Sequence, residues 1–337
     1  MNTEIVYDID SAALARAGRI IREGGIVAFP TETVYGLGGN ALDPDSAKKI
    51  YAAKGRPSDN PLIVHLSHPG QADEYCFTND TFRTLAKAFM PGPLTVILPK
   101  KDIIPPEVTG GLGSVAIRVP ADPTAHAFIK AAGRPIAAPS ANISGRPSPT
   151  SASHVIDDMD GRIDMILAGR DCEIGLESTI VSVKEDGSVV LLRPGKITPE
   201  QLGEYCRVEI AEAVTGKFEG KPLSPGMKYK HYSPRAELYI IKGNEKDFYG
   251  YVRKKPGCGV IRFDEDRLLA GLPDSVSIGS RDSCAEQAHR LFDILRGFDK
   301  REDITEIYAR TPDSSGVGLA VWNRLLRAAG FKVIDLT

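Results

Sequence analysis

The chain has 337 residues, a length that allows about two domains of ordinary size. It carries 42 Lys and Arg against 44 Asp and Glu, and 42% of its residues are hydrophobic, which is typical of a folded globular protein. These values exclude a disulfide-stapled miniprotein, a mainly disordered chain and a protein that holds nucleic acid through a global excess of positive charge.

The cysteines and the first residues predict the compartment. No C-x-x-C pair occurs, and an odd number of widely spaced cysteines predicts neither a disulfide framework nor a zinc site. The opening MNTEIVYDID has no basic residue, and no apolar run approaches the roughly 18 residues of a membrane helix. We therefore expect a cytoplasmic protein with reduced thiols and no membrane partner.

Helix and strand signals alternate along the first part of the chain. Asp10 predicts the start of an amphipathic helix that ends at Gly24 and Gly25, and the following GIVAFP predicts a buried strand. An Asp cap followed by Pro predicts further helices from Pro44 and from Pro123. Between these two helices, PLIVHL, LTVILP and SVAIRVP predict strands.

The later segments predict a hairpin, a linker and a second domain. STIVSV and SVVLLRP flank Asp186 and Gly187, a strong hairpin-turn signal. Residues 213–236 lack apolar periodicity, and Lys217 to Arg235 carry a net charge of +4, from five cations and one Glu. We predict a mixed α+β domain over residues 1–212, a basic linker or lid over 213–236 and a small α/β domain over 237–337.

The glycine-rich segment GLGGNA, from Gly36 to Ala41, fits the dinucleotide pattern G-x-G-x-x-A. That pattern requires the glycines to lead directly into a helix, whereas here a new helix begins only at Pro44. We therefore expect a tight turn at this segment. Because G-x-x-x-x-G-K is absent, any nucleotide is expected to bind without a P-loop.

Two motifs place polar and cationic residues next to predicted strands. PTETVYGL follows a buried strand and offers polar groups to a ligand, although a polar turn would look the same; these groups are Thr31, Glu32, Thr33 and Tyr35. KGRPSDNPLIVH carries Lys54 and Arg56 on a restrained backbone that suits phosphate oxygens, but a solvated helix end also favours cations. His65, in the following strand, taken alone is more often a structural histidine.

Three further segments extend this pattern. Arg118 interrupts the apolar strand IRVP, where it could meet a substrate carboxylate or lie on the surface of an edge strand. PSANISGRPSPT offers hydroxyl and backbone N–H groups to a phosphate. LESTIV contains Ser178, and LRPGKI adds Arg193 as a third candidate phosphate ligand.

The ordered motifs PTETVYGL, KGRPSDNPL, PGPLTVIL, IRVP, PSANISG and ESTIV resemble those of the YrdC-like family over about residues 10 to 235. The added SPGMKYKHYSP and a following α/β segment resemble the long, two-domain form of that family. The resemblance implies an α/β protein with an open twisted sheet, helices that form a concave cleft, and a small Rossmann-like C-terminal domain. It implies that L-threonine, bicarbonate and ATP give threonylcarbamoyl-AMP and pyrophosphate, a nucleotidyltransferase reaction that supplies tRNA modification beside the anticodon.

The resemblance also implies roles for individual residues. Threonine binding is expected at Thr33, His65, Arg118, Ala138 and Ser178. ATP binding is expected at Lys54, Arg56, Asn60, Ser114, Ser140, Asn142, Ser148, Arg193 and His231. The resemblance implies Mg²⁺ with ATP, held mainly by phosphates and water rather than by a protein metal motif.

Two alternatives follow from the same sequence. A carbamoyltransferase of the hydrogenase-maturation type shares this domain, but its acylphosphatase and zinc-binding modules are expected with Cys pairs that this chain lacks. A tRNA or double-stranded RNA binding module without catalysis would use the basic linker and bind RNA with a steep salt dependence.

In the enzyme, tRNA would be a partner only indirectly, through the complex that transfers the threonylcarbamoyl group. The linker, which carries His231, is expected to close over the cleft.

Overall fold

The computed structural model describes residues 2–214, 216 and 232–337. These residues form two compact units, one with residues 2–144, 148–214 and 216, the other with residues 145–147 and 232–337. The predicted linker starts inside a 3-10 turn, Glu212–Val214, where Ala213 and Val214 are buried. His231 and most of the basic segment lie outside the described residues.

The first unit contains a mixed sheet of eleven strands with order β1-β8-β2-β3-β7-β4-β6-β5-β9-β10-β11. Its strands are β1 (Glu4–Val6), β2 (Val27–Phe29), β3 (Gly36–Asn40), β4 (Ile63–His65), β5 (Leu94–Pro99), β6 (Ser114–Arg118), β7 (Ile136–Ala138), β8 (Met165–Leu167), β9 (Thr179–Val183), β10 (Val189–Arg193) and β11 (Val208–Ile210). Its helices are α1 (Ser11–Arg22), α2 (Pro44–Lys54), α3 (Ala72–Tyr75), α4 (Asp80–Phe89), α5 (Pro106–Thr109), α6 (Pro123–Ala132), α7 (Ala152–Met159) and α8 (Pro199–Gly203).

The predicted helix starts are confirmed because each predicted Asp accepts backbone N–H groups of the first turn. Asp10 accepts from Ala13 N at 2.7 Å, and Asp122 accepts from Ala125 N at 2.9 Å. Asp43 caps α2 in the same way, ahead of Pro44. Such caps satisfy donors that the helix itself leaves unpaired, which fixes where each helix begins.

The glycine-rich segment was predicted as a tight turn, and this prediction is wrong: Gly36–Asn40 is strand β3, paired with β2 and β7. Its glycines accommodate the ring of Phe29. A Cβ at Gly36 would lie 2.9 Å from Phe29 Cζ, and one at Gly38 would lie 3.0 Å from Phe29 Cε1. The glycines therefore allow a close approach between a ring and a strand.

An apolar core in the first unit packs two helices against the sheet. Helices α1 and α6 pack together and cover β2, β7 and β8 through a cluster that includes Ile21, Phe29, Phe128 and Leu167. The predicted hairpin is confirmed, since β9 and β10 pair antiparallel and Gly187 takes a φ of 79° in the turn.

The second unit contains a parallel five-stranded sheet with order β14-β13-β15-β12-β16. Its elements are β12 (Glu237–Lys242), α9 (Glu245–Val252), β13 (Gly259–Arg262), α10 (Arg267–Ala270), β14 (Ser275–Ser277), α11 (Cys284–Asp299), β15 (Glu306–Arg310), α12 (Gly318–Ala328) and β16 (Val333–Asp335). Strands alternate with helices, as expected for a Rossmann-like α/β domain. Among the residues that the structure describes, no helix is long and apolar enough to cross a bilayer.

Candidate active site

A turn of polar residues follows β2 and is held by its own side chains. Thr31 Oγ1 donates to Val34 O at 2.6 Å and accepts from the backbone N–H groups of Thr33 and Val34. The hydroxyl oxygens of Thr31 and Thr33 lie 2.9 Å apart. Because these bonds fix the turn, the side chains of Glu32 and Thr33 have defined positions in the protein interior.

Arg118 meets this turn from the end of β6. Its Nη2 lies 2.8 Å from Glu32 Oε1 and donates to Thr33 Oγ1 at 2.9 Å. The side chains of Arg118 and Glu32 are 5% and 9% exposed, so the surface alternative for Arg118 is wrong. In the described part of the chain, the buried atoms Arg118 Nε and Glu32 Oε2 have no hydrogen-bond partner.

His65 lies beside Arg118 in the sheet. The pairing of β4 with β6 sets His65 opposite Arg118, and the pairing of β5 with β6 sets Thr95 opposite the same arginine. His65 Nδ1 lies 3.0 Å from Ile63 O, a backbone acceptor. Burial, followed by the charge of Arg118, lowers the pKa of His65 to about 3, which leaves the ring neutral at physiological pH.

Ser178 connects Thr95 to a second polar residue, Arg193. Its Oγ lies 2.8 Å from Thr95 Oγ1. Arg193 Nε donates to Ser178 O at 3.0 Å, and Arg193 Nη2 donates to Ser178 Oγ at 3.2 Å. The structure thus joins Arg193, a predicted ATP residue, to Ser178, a predicted threonine residue.

Lys54 is buried at the end of α2, so the solvated alternative for this lysine is wrong. It is 1% exposed, its Nζ donates to Ser140 O at 2.6 Å, and it also donates to Asn142 O. Ser140 Oγ donates in turn to Asn142 Oδ1. The structure therefore brings together three of the predicted ATP residues, which lie in the helix end and the Ser/Pro loop.

Arg56, Asn60 and Ser114 lie at the opposite ends of β4 and β6 from His65 and Arg118. Arg56 Nη2 donates to Asn60 O at 3.3 Å and to Pro61 O at 3.2 Å. Ser114 is the first residue of β6 and Arg118 is the last. These three predicted ATP residues therefore lie away from His65 and Arg118 along the strands, whereas Arg193 of the same set contacts Ser178 of the threonine set.

The remaining predicted residues also occupy interior positions. Ser148 Oγ donates to Glu177 Oε1, and both residues are buried. Ala138 lies in β7 and pairs with Ile63 of β4. Within the described ranges, no group of three or more His, Cys, Asp or Glu is arranged to hold a metal ion.

No role was predicted for Thr95 or Glu177, which contact predicted site residues, and Glu32 was predicted only as one of the polar groups at a strand end. A local signal existed for Thr95, because a hydroxyl interrupts the apolar run LTVILP. Glu32 stands directly before Thr33, but only the folded chain brings it to Arg118, 86 residues away.

Comparisons with known proteins place this chain in a family. Residues 19–195 match the Sua5, YciO and YrdC family model, which carries the description telomere recombination, and residues 197–330 match the threonylcarbamoyl-AMP synthase C-terminal domain. Because the first match spans more than half of the chain, the protein belongs to the Sua5/YciO/YrdC family, in the form that carries the additional C-terminal domain. The resemblance predicted from the motifs is confirmed.

Relatives match over nearly the full chain. The threonylcarbamoyl-AMP synthase of Bacillus subtilis is 46% identical, with 95% of this chain and 94% of that protein covered. The protein of the same name from Pyrococcus abyssi is 44% identical, with 95% of each chain covered. A crystal structure of P. abyssi Sua5 complexed with L-threonine is 40% identical, has a TM-score of 0.90 and covers 100% of both chains. The predicted fold class is thereby confirmed.

Proposed function

We propose that this protein is a threonylcarbamoyl-AMP synthase. It converts L-threonine, bicarbonate and ATP into L-threonylcarbamoyladenylate and pyrophosphate. The observation that carries the proposal is the 46% identity, over 95% of the chain, to a protein that bears this name. The interior cations support it independently, because a buried arginine or lysine suits a carboxylate or phosphate ligand.

Threonine binding is assigned to the residues around Arg118. The guanidinium binds the threonine carboxylate, while Thr33, neutral His65, the backbone at Ala138 and Ser178 surround the rest of the amino acid. Thr95 holds Ser178 through the 2.8 Å contact between their hydroxyl oxygens, and therefore acts as a positioning residue. A hydroxyl in a buried site is the kind of partner that distinguishes threonine from an isosteric apolar side chain.

ATP binding is assigned to the other predicted set. Lys54, Arg56 and Arg193 offset the charge that grows on the phosphates, while Asn60, Ser114, Ser140, Asn142 and Ser148 contribute polar contacts. The reaction needs no covalent enzyme intermediate, because the N-carboxylate of threonine attacks the α-phosphorus and pyrophosphate leaves. Positioning and charge neutralisation are then the main tasks of the protein.

Mg²⁺ accompanies ATP in this proposal. Magnesium prefers phosphate oxygens and water, with few protein ligands, so the nucleotide itself would hold most of the ion. The ion supplies additional neutralisation of phosphate charge. The adenylate then provides a threonylcarbamoyl group for an adenosine beside the tRNA anticodon, through a separate transfer complex.

Pyrophosphate release from ATP tests the proposal directly. We expect release that requires both threonine and bicarbonate and that needs no RNA. Release that is independent of threonine would contradict the proposal. A protein that releases no pyrophosphate but binds RNA with a steep salt dependence would instead support the RNA-binding alternative.

A further inference from the structure

Glu32 has a buried carboxylate with only half of its hydrogen-bonding capacity used by the protein. The residue is 8% exposed, and its Oε1 lies 2.8 Å from Arg118 Nη2. Its Oε2 is buried and has no hydrogen-bond partner among the described residues. Buried polar atoms are nearly always paired, so an unpaired carboxylate oxygen in a binding site indicates a donor that comes with the ligand.

The partner of Glu32 has an unpaired donor of its own. Arg118 Nε is also buried without a partner in the described part of the chain, so one ion pair presents both an open acceptor and an open donor. An α-amino acid matches this pair, because it carries a carboxylate and an ammonium on the same carbon. The carboxylate suits Arg118, and the ammonium suits Glu32 Oε2.

The electrostatic surroundings of Glu32 favour a cation at the same place. Burial is the main cause that raises the pKa of Asp122, and the negative charge of Glu32 acts on it in the same direction. The backbone oxygen of Glu32 is fixed as well, since it accepts from Ile174 N at 2.8 Å. A positively charged group beside Glu32 would therefore lower the repulsion between two neighbouring carboxylates.

We propose that Glu32 binds the ammonium group of threonine through Oε2 and removes one of its protons. This inference rests on the proposed function. The proton passes from the ammonium nitrogen to Glu32 Oε2, which leaves a neutral amine. The amine then attacks the carbon of bicarbonate: the N–C bond forms, the C–O bond to the departing hydroxide breaks, and that hydroxide takes the second amine proton to leave as water. Glu32 later returns its proton to solvent.

The test compares L-threonine with 3-hydroxybutyrate, which is threonine with hydrogen in place of the amino group. Binding is measured by titration calorimetry to the full chain, as the wild type and as Glu32→Gln. Glutamine keeps an oxygen for Arg118 but removes the negative charge. We expect Glu32→Gln to weaken threonine binding at least tenfold and to change 3-hydroxybutyrate binding less than twofold. Arg118→Ala, as the contrasting variant, is expected to weaken both ligands.

An equal loss for both ligands in Glu32→Gln would overturn the proposal, because Glu32 would then act only by holding Arg118. The wild type gives a second test that needs no variant: we expect threonine to bind at least tenfold more tightly than 3-hydroxybutyrate, and equal affinity would also overturn the proposal. At saturating threonine, pyrophosphate release by Glu32→Gln is expected to fall at least a hundredfold, whereas an unchanged rate would remove the proton-transfer role. Failure of the proposed function is distinguishable, because the wild type would then release no threonine-dependent pyrophosphate.

Discussion

His65 and Arg118 occupy paired positions on the neighbouring parallel strands β4 and β6, so a neutral imidazole lies beside a buried guanidinium. Two positive charges at this place would repel each other in a poorly hydrated interior. The imidazole therefore stays unprotonated, and Arg118 with Glu32 supplies the charge of this part of the site. This arrangement has a consequence for stability that pH can reveal.

The stability of the first unit is expected to fall as the pH drops below about 6.5, the ordinary pKa of histidine. Below that value the unfolded chain protonates His65, whereas the folded protein does so only near pH 3. The unfolded state therefore binds more protons across this window, and His65 contributes a slope of up to about 1.4 kcal/mol per pH unit to the free energy of unfolding. Urea unfolding between pH 4.5 and 7 measures the slope, in steps of about half a pH unit.

His65→Gln is the variant that tests this assignment, and the exposed His68, changed to Asn, is its control. Asn can still accept from Gly70 N as His68 Nδ1 does. We expect the slope to decrease in His65→Gln and to stay at the wild-type value in His68→Asn. A wild-type slope in His65→Gln would show that another group causes the pH dependence.

Arg118→Ala is expected to weaken threonine binding. A charge-assisted pair with a carboxylate in a closed site contributes about 2 to 5 kcal/mol, and calorimetric titration measures the loss. The change also leaves the Glu32 carboxylate buried without its cation, so the melting temperature is expected to fall. Arg83→Ala, at a half-exposed arginine on α4, is the control. Threonine affinity within twofold of wild type in a folded Arg118→Ala protein would contradict the assigned role.

Substrate selectivity is expected to depend more on the threonine hydroxyl than on its methyl group. A methyl group distinguishes threonine from serine by about 1 to 3 kcal/mol, whereas an unmet buried polar partner discriminates more strongly against valine. Rates of pyrophosphate release with the three amino acids measure this order. Thr95→Val, which removes the contact with Ser178, is expected to reduce the preference for threonine over valine. Equal rates with valine and threonine would argue against a site that reads the hydroxyl.

Two lysines of the same helix provide a matched comparison. Lys54→Met removes a buried ammonium and its hydrogen bonds to the carbonyl oxygens of Ser140 and Asn142. We expect a cost of about 1 to 3 kcal/mol in stability and a loss of ATP binding. Lys48→Met removes an exposed pair with Asp45, for which little or no change in stability is expected. Denaturant unfolding and nucleotide titration separate the two effects, and equal results for the two variants would contradict the burial argument.

Strand β3 gives a prediction about packing. Gly36→Ala places a Cβ 2.9 Å from Cζ of the Phe29 ring. Such overpacking costs about 1 to 3 kcal/mol. The double variant Gly36→Ala with Phe29→Leu is expected to be more stable than the sum of the two single changes. Gly203→Ala, where a Cβ meets nothing within 4 Å, is the control and is expected to be neutral or stabilising. Strict additivity in the double variant would rule out the proposed contact.

Local chemistry explains which features the sequence could predict. The Asp caps of α1, α2 and α6 and the Asp186-Gly187 turn act within a few residues, so their signals are complete in the sequence. Strand β3 was not predicted because its glycines make room for the ring of Phe29. Only the pairing of β2 with β3 brings this ring next to them. The motifs identified Arg118 and Lys54, but only the folded chain decides that both are buried and what they contact.

The contacts of the site join residues that are far apart in the chain. Glu32 and Arg118 are separated by 86 residues, Thr95 and Ser178 by 83, and Lys54 and Asn142 by 88. Arg193, which completes the contacts around Ser178, ends the tenth strand of the sheet. During translation, the nascent chain therefore passes through a long interval in which it carries most of the site residues but lacks the last strands that hold them. The activity is therefore expected to arise late in synthesis. A chain that ends before Arg193 lacks a complete site.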